Sequence, residues 1–97
     1  MEFKKAEQLL IKNKHIIGKQ VNGAAIDELI LVPTNVDSSV DFFRLYRQSL
    51  DGKKSIQPFI GSDVDIIAVF NKKHIAQSFF FHKNIYDLPA NIGAVIE

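Results

Sequence analysis

Residues 65–83 read DIIAVFNKKHIAQSFFFHK, the densest apolar run in the chain, broken once by Asn71-Lys72-Lys73. Ile66, Ile67, Val69, Phe70, Ile75, Phe79, Phe80 and Phe81 are β-branched or aromatic, which suits a pleated surface. A short apolar run can also be a buried helical segment, so the flanks decide. Gly61-Ser62-Asp63 precedes the run and a polar tripeptide splits it, which favours two antiparallel strands joined by a basic turn. Tight hairpins prefer Asn-Gly or Asp-Gly; without the glycine, a loop of about three or four residues is predicted.

Side chains alternate along a strand. Ile75, Gln77, Phe79 and Phe81 fall on one face, and Ala76, Ser78, Phe80 and His82 on the other. In the first strand Ile67 and Val69 oppose Ile66, Ala68 and Phe70. Neither strand has a polar face, whereas a half-exposed antiparallel sheet alternates cleanly. The sheet is therefore predicted to be covered on both sides, by helices on one and by something else on the other.

Working outward, residues 3–17 form an amphipathic pattern: Phe3, Ala6, Leu9, Leu10, Asn13, Ile16 and Ile17 recur at three- and four-residue steps. Only Asn13 interrupts the stripe. Gly18 offers a helix stop; the alternative is an end near Asn13, with residues 15–21 turning into a short strand. Asn22-Gly23 is a turn signal in both versions. Residues 26–33, IDELILVP, read as a strand apolar on both faces and ended by Pro33.

Residues 40–50 read as a second helix capped by Asp37, Ser38 or Ser39. The competing reading is a strand closed by Asp51-Gly52 onto residues 54–60, where Pro58 argues for an edge position. At the C-terminal end, Ile92, Val95 and Ile96 give an apolar stretch that calls for a docking surface. The fold class is α+β: one domain over residues 1–97, with a small, largely antiparallel sheet of three to five strands and one or two helices packed on a face.

With 46% hydrophobic residues the chain can bury a core, and a net charge of +1 selects no partner by bulk electrostatics. No cysteine is present, which excludes disulfides, cysteine-based zinc sites and a thiol nucleophile. That composition fits a reducing cytoplasm, the expected location. No signal-like segment and no run of about 18 apolar residues occurs, so no membrane partner is expected.

His15, His74 and His82 are the only side chains suited to acid–base work near neutral pH. His74 and His82 would stand roughly 25 Å apart on one extended strand at about 3.3 Å per residue, too far to flank one atom. Asp63 and Asp65 share a side of an extended segment and could reach a magnesium ion, but turn chemistry explains Asp63 as well. No glycine spacing matches a phosphate loop. No catalytic residue, metal site or cofactor is assigned.

The basic set is the better candidate surface. Lys72, Lys73, His74, His82 and Lys83 lie in the hairpin region with aromatics between them, and Arg44 and Arg47 lie one helical turn apart. Such a set suits a small anionic ligand, nucleotide-like, or a single strand of nucleic acid. A pI of about 8.0 weighs against nucleic acid. The functional expectation is a non-enzymatic binding module acting as a homo-oligomer, most simply a dimer. Phe80, Ile92, Val95 and Ile96 are the expected interface. The second reading is a binder of a phosphate-bearing small molecule or nucleic acid, and the third is a metal-dependent hydrolase at Asp63 and Asp65.

Overall fold

The computed structural model describes residues 1–34, 63–71 and 82–93. Within them lies an open antiparallel sheet with one α-helix packed on it, the α+β class expected from the sequence. The strands are β1 (Gln20–Val21), β2 (Ala24–Pro33), β3 (Val64–Phe70) and β4 (His82–Asn84), in the spatial order β1-β2-β3-β4. The second helix or strand expected at residues 40–50, and the strand at 54–60, lie outside the described residues.

β3 is the centre. All of its residues are buried except Asp65, which is half-buried. It pairs with β2 from Ile26 opposite Phe70 to Pro33 opposite Val64. The register steps at Asp27, where one extra residue of β2 opposes none on β3. Pro33 closes β2 as expected.

Two faces follow from the register. Ile26, Leu29, Leu31, Val64, Ile66, Ala68 and Phe70 line the first; Leu31 packs against the main hydrophobic cluster and the others belong to it. Glu28, Ile30, Val32, Ile67 and Val69 line the second. Helix α1 (Phe3–Lys12) covers the first face through Ala6 and Leu9. Ile85, Leu88 and Ile92, from the two 3-10 turns Ile85–Asp87 and Ala90–Ile92 and the link between them, join the same cluster.

The second face is also closed. Ile30 is 8%, Val32 5%, Ile67 8% and Val69 0% exposed in a single chain. The expected two-sided burial is thus present. A bare sheet face, one reason for expecting assembly, is not found among the described residues.

α1 ends at Lys12, not at Ile17, which matches the earlier of the two expected ends. Asn13 explains the break in the apolar stripe. It is fully buried and its Nδ2 donates to the Leu9 carbonyl at 2.9 Å, while its backbone N–H reaches Leu9 and Leu10. The Asn13 side chain thus adds a second donor to a carbonyl that already accepts the Asn13 backbone N–H, which is how the buried amide is satisfied at the end of the helix. Ile17 lies beyond the helix and is 43% exposed.

Gly18 is therefore not the stop of α1. It turns the chain into β1 with φ +93, its N–H donating to the Ile26 carbonyl at 2.8 Å. Asn22-Gly23 makes the expected two-residue turn between Val21 and Ala24. Both turn residues have positive φ, 52 and 82, which matches the twist of the flanking strands.

The second hairpin departs from expectation. β3 pairs Val69 with His82, Ala68 with Lys83 and Ile67 with Asn84. A loop of about three or four residues at Asn71-Lys72-Lys73 would have put a residue in the mid-seventies opposite Val69. Asn71 does take the left-handed conformation of a turn residue, φ 54. Lys72, Lys73 and the strand expected at residues 75–81 lie outside the described residues; the register that is described falls later than expected.

The same edge of β3 is bridged at its other end by the chain start. Glu2 bridges Asp63, and the Val64 N–H donates to the Met1 carbonyl at 2.7 Å. α1 thus starts at the sheet edge and runs back across the first face.

Candidate binding site

Of the residues singled out for ligand or partner contact, His82, Lys83 and Ile92 are described. Arg44, Arg47, Lys72, Lys73, His74, Phe80, Val95 and Ile96 lie outside the described residues.

β4 separates its two basic side chains. Lys83 lies opposite Ala68 and so shares the first face; His82 lies opposite Val69 and shares the second. One ligand can touch both only by lying along the edge of β4. Ile92, expected at an interface between copies, is buried in the core of its own chain at 7% exposure. Its neighbours there, Ile85 and Leu88, are apolar, and the two turns fold it back onto the sheet.

On the first face, a recess of about 140 Å³ opens where the first hairpin meets the end of β3. Val21, Asn22, Ala24, Phe70 and Lys83 line it; Val21 and Phe70 are buried, Ala24 is half-buried, and Asn22 and Lys83 are exposed. Local structure explains the gap. The tight turn at Asn22-Gly23 brings Val21 against Ala24, whose side chain is a single methyl. Phe70 is brought to the recess by pairing with Ile26, two residues along the strand from Ala24. Lys83 stands diagonally across from Phe70, because its direct partner is Ala68. No ion pair of Lys83 occurs among the described residues.

The turn at Asn22-Gly23 was legible in the sequence, and with it the Val21–Ala24 pair. Phe70 and Lys83 were not placeable beside them, since that needs the registers of two ladders.

On the second face, Glu28, Val69 and His82 form one row across β2, β3 and β4. Strands lie about 4.8 Å apart, so the backbones of Glu28 and His82 are about 10 Å apart with Val69 between them. Partial burial lowers the His82 pKa from its ordinary 6.5, because desolvation disfavours the imidazolium.

His15 has a structural role that sequence reasoning missed. Its Nε2 lies 2.7 Å from the Gly93 carbonyl and its Nδ1 3.1 Å from the Lys12 carbonyl. The ring ties the end of α1 to the last described turn. Gly93 has φ +85, and a Cβ there would meet the ring nitrogen at 3.3 Å. The two ends of this clasp are 78 residues apart in sequence, and no spacing rule links them.

Asp63 faces the Met1 ammonium at 3.7 Å, with 76% of its own side chain exposed. Asp65 lies on β3 opposite Val32. Among the described residues, no three histidine or acidic side chains gather in a way that could hold a metal ion. No helix among the described residues is long and apolar enough to cross a membrane.

Comparison with protein-family models, curated proteins and solved structures finds no match to this chain.

Proposed function

We propose that this protein is a non-enzymatic binding module, working as a homo-oligomer, whose recess beside Lys83 takes an apolar group adjoining a negative charge. The observation that supports this is the recess itself, lined by apolar Val21, Ala24 and Phe70 together with the exposed Lys83.

Size narrows the occupant. Pockets for cofactors and drug-sized ligands run about 300–1,000 Å³. A cavity of about 150 Å³ holds one benzene. At about 140 Å³ the recess fits one side chain or a small branched acid, not a nucleotide. Lysine supplies a mobile point charge, suited to a carboxylate at variable distance. The competing reading, a phosphate-bearing ligand on a basic surface, draws on Lys83 and His82 among the described residues, and these face opposite sides of the sheet.

The test is an amide-resonance titration of the full chain with isovalerate, isobutanol and inorganic phosphate in parallel. Isovalerate should give saturable shifts at Val21, Ala24, Phe70 and Lys83. Isobutanol should shift the same set more weakly, and Ala24→Phe, which fills the recess, should remove both responses. Saturable shifts with phosphate alone would favour the competing reading. No saturable shift at the recess with any of the three would reject the proposal.

A further inference from the structure

We infer that Met1 is a site of oxidation by peroxide, with the Tyr86 hydroxyl placed to hold the sulfoxide oxygen that forms there. Neither residue lines the recess beside Lys83, so this site is independent of the binding reading above.

Three observations carry it. The first is chemical. The sequence has one methionine and no cysteine, so Met1 holds its only sulfur. Conversion of that thioether to a sulfoxide turns an apolar side chain into a polar one. The second is burial. The Met1 side chain packs against the main hydrophobic cluster and keeps 12% of its surface in solvent. A small oxidant reaches it from that side, and the polar product then needs a hydrogen-bond partner. The third is geometry. The Tyr86 hydroxyl, itself half-buried, donates to Met1 Sδ at 3.9 Å. A thioether sulfur is a weak acceptor. An oxygen added to the sulfur on this side comes between the two groups, within the range of about 2.5–3.0 Å over which a hydroxyl donates to oxygen.

Both partners are held through their backbones. The Val64 N–H donates to the Met1 carbonyl at 2.7 Å, and Glu2 bridges Asp63. The Tyr86 N–H donates to Asn84 Oδ1 at 3.1 Å, and Ile85 beside it is fully buried. The hydroxyl is therefore in place before the sulfur reacts.

The step itself is a two-electron oxygen transfer. A sulfur lone pair attacks one oxygen of hydrogen peroxide and the O–O bond breaks. The second oxygen leaves as hydroxide and takes the proton from the first, giving water. Sulfur is oxidised and peroxide is reduced.

The test treats the folded, full-length chain with dilute hydrogen peroxide and follows its intact mass. One oxygen should add, at Met1, without unfolding. The melting temperature of the native chain should hardly move, because Tyr86 receives the new acceptor. In Tyr86→Phe the same oxidation strands the sulfoxide oxygen. It should lower the melting temperature of that variant by about 4–8 °C, the shift that one lost interaction of ordinary strength produces in a domain of this size. A second readout needs no variant. The ring carbon of Tyr86 that bears the hydroxyl should change its resonance when the native chain is oxidised.

Equal losses of melting temperature in native and variant chains would overturn the inference, as would a sulfur that reacts only after denaturation. A Tyr86 resonance that stays in place on oxidation would overturn it too, even where the phenylalanine variant fails to fold.

Discussion

On one face of β3, Val64, Ile66, Ala68 and Phe70 share a cluster with α1 and the two C-terminal turns. On the other, Ile67 and Val69 sit beside Ile30 and Val32, outside that cluster. Exposure hardly separates the faces: Ile66 and Val69 are both at 0% and Ile67 is at 8%. Apolarity on both sides of a strand therefore shows that both sides are covered, and says nothing about whether a partner does the covering. The faces differ instead in what they present at the edge. The first carries Lys83 beside an apolar recess, and the second carries His82 in a row with Val69 and Glu28.

The comparison breaks most visibly at two adjacent isoleucines. Ile66 and Ile67 are consecutive and point to opposite faces. Ile66→Ala should cost about 2–5 kcal/mol, the range for a buried isoleucine emptied to alanine. Ile67→Ala should fall in the same range, toward its lower end. Urea denaturation of both variants is the measurement. An Ile67→Ala cost below about 1 kcal/mol would mean that the second face is shielded but loosely packed, since residual cavity volume sets much of the penalty.

The next effect belongs to the first face alone. Asn13 is buried among apolar residues and holds the Leu9 carbonyl at the end of α1. Asn13→Ala should cost about 0.5–1.5 kcal/mol for the lost hydrogen bond, with a cavity penalty added, while the Leu9 carbonyl keeps the backbone N–H of residue 13. Asn13→Leu completes the apolar stripe yet should not restore stability, because leucine cannot donate to that carbonyl. A leucine variant as stable as the native chain would show that burial, not the hydrogen bond, dominates there.

A smaller effect lies in the clasp that ties the C-terminal turns to this face. His15→Ala removes contacts to the Lys12 and Gly93 carbonyls and should cost about 0.5–1.5 kcal/mol. Amide exchange should accelerate at Ile92 and Gly93 more than in β3. Uniform acceleration over the whole sheet would show that the clasp is part of the global core and not a local tie.

How far these features were legible depended on how local their cause is. Asn22-Gly23 announced its hairpin because turn geometry needs only two residues. The strands at β2 and β3 were legible from runs of β-branched residues, and Pro33 from its missing N–H. The end of α1 was ambiguous because Ile16 and Ile17 extend the stripe, while the buried Asn13 that ends it reads in sequence as a flaw. The register of β4 was not legible. Asn71-Lys72-Lys73 suggested a partner for Val69 in the mid-seventies, whereas the partner is His82. The recess shares that difficulty, since Val21, Phe70 and Lys83 meet only through three ladders and a bulge.

The smallest expected effect reads the second face by its pH dependence. Withdrawal from water holds the His82 pKa below 6.5, so the folded chain favours the neutral ring. Above that value the ring is neutral in both states and contributes no pH dependence. Between 6.5 and the lowered folded value, the unfolded chain carries the proton more often than the folded chain. Stability then falls with each step toward acid, and the loss is complete once both states are protonated. His82→Gln should keep a polar side chain at the β4 edge and flatten this dependence. Every other group is common to both proteins, so the quantity to follow is the difference in melting temperature between native and variant chains. That difference should shift against the native chain as pH drops below 6.5. A constant difference across the window would mean that His82 is fully hydrated in solution, and that the cover on the second face stops at Val69 and does not extend to β4.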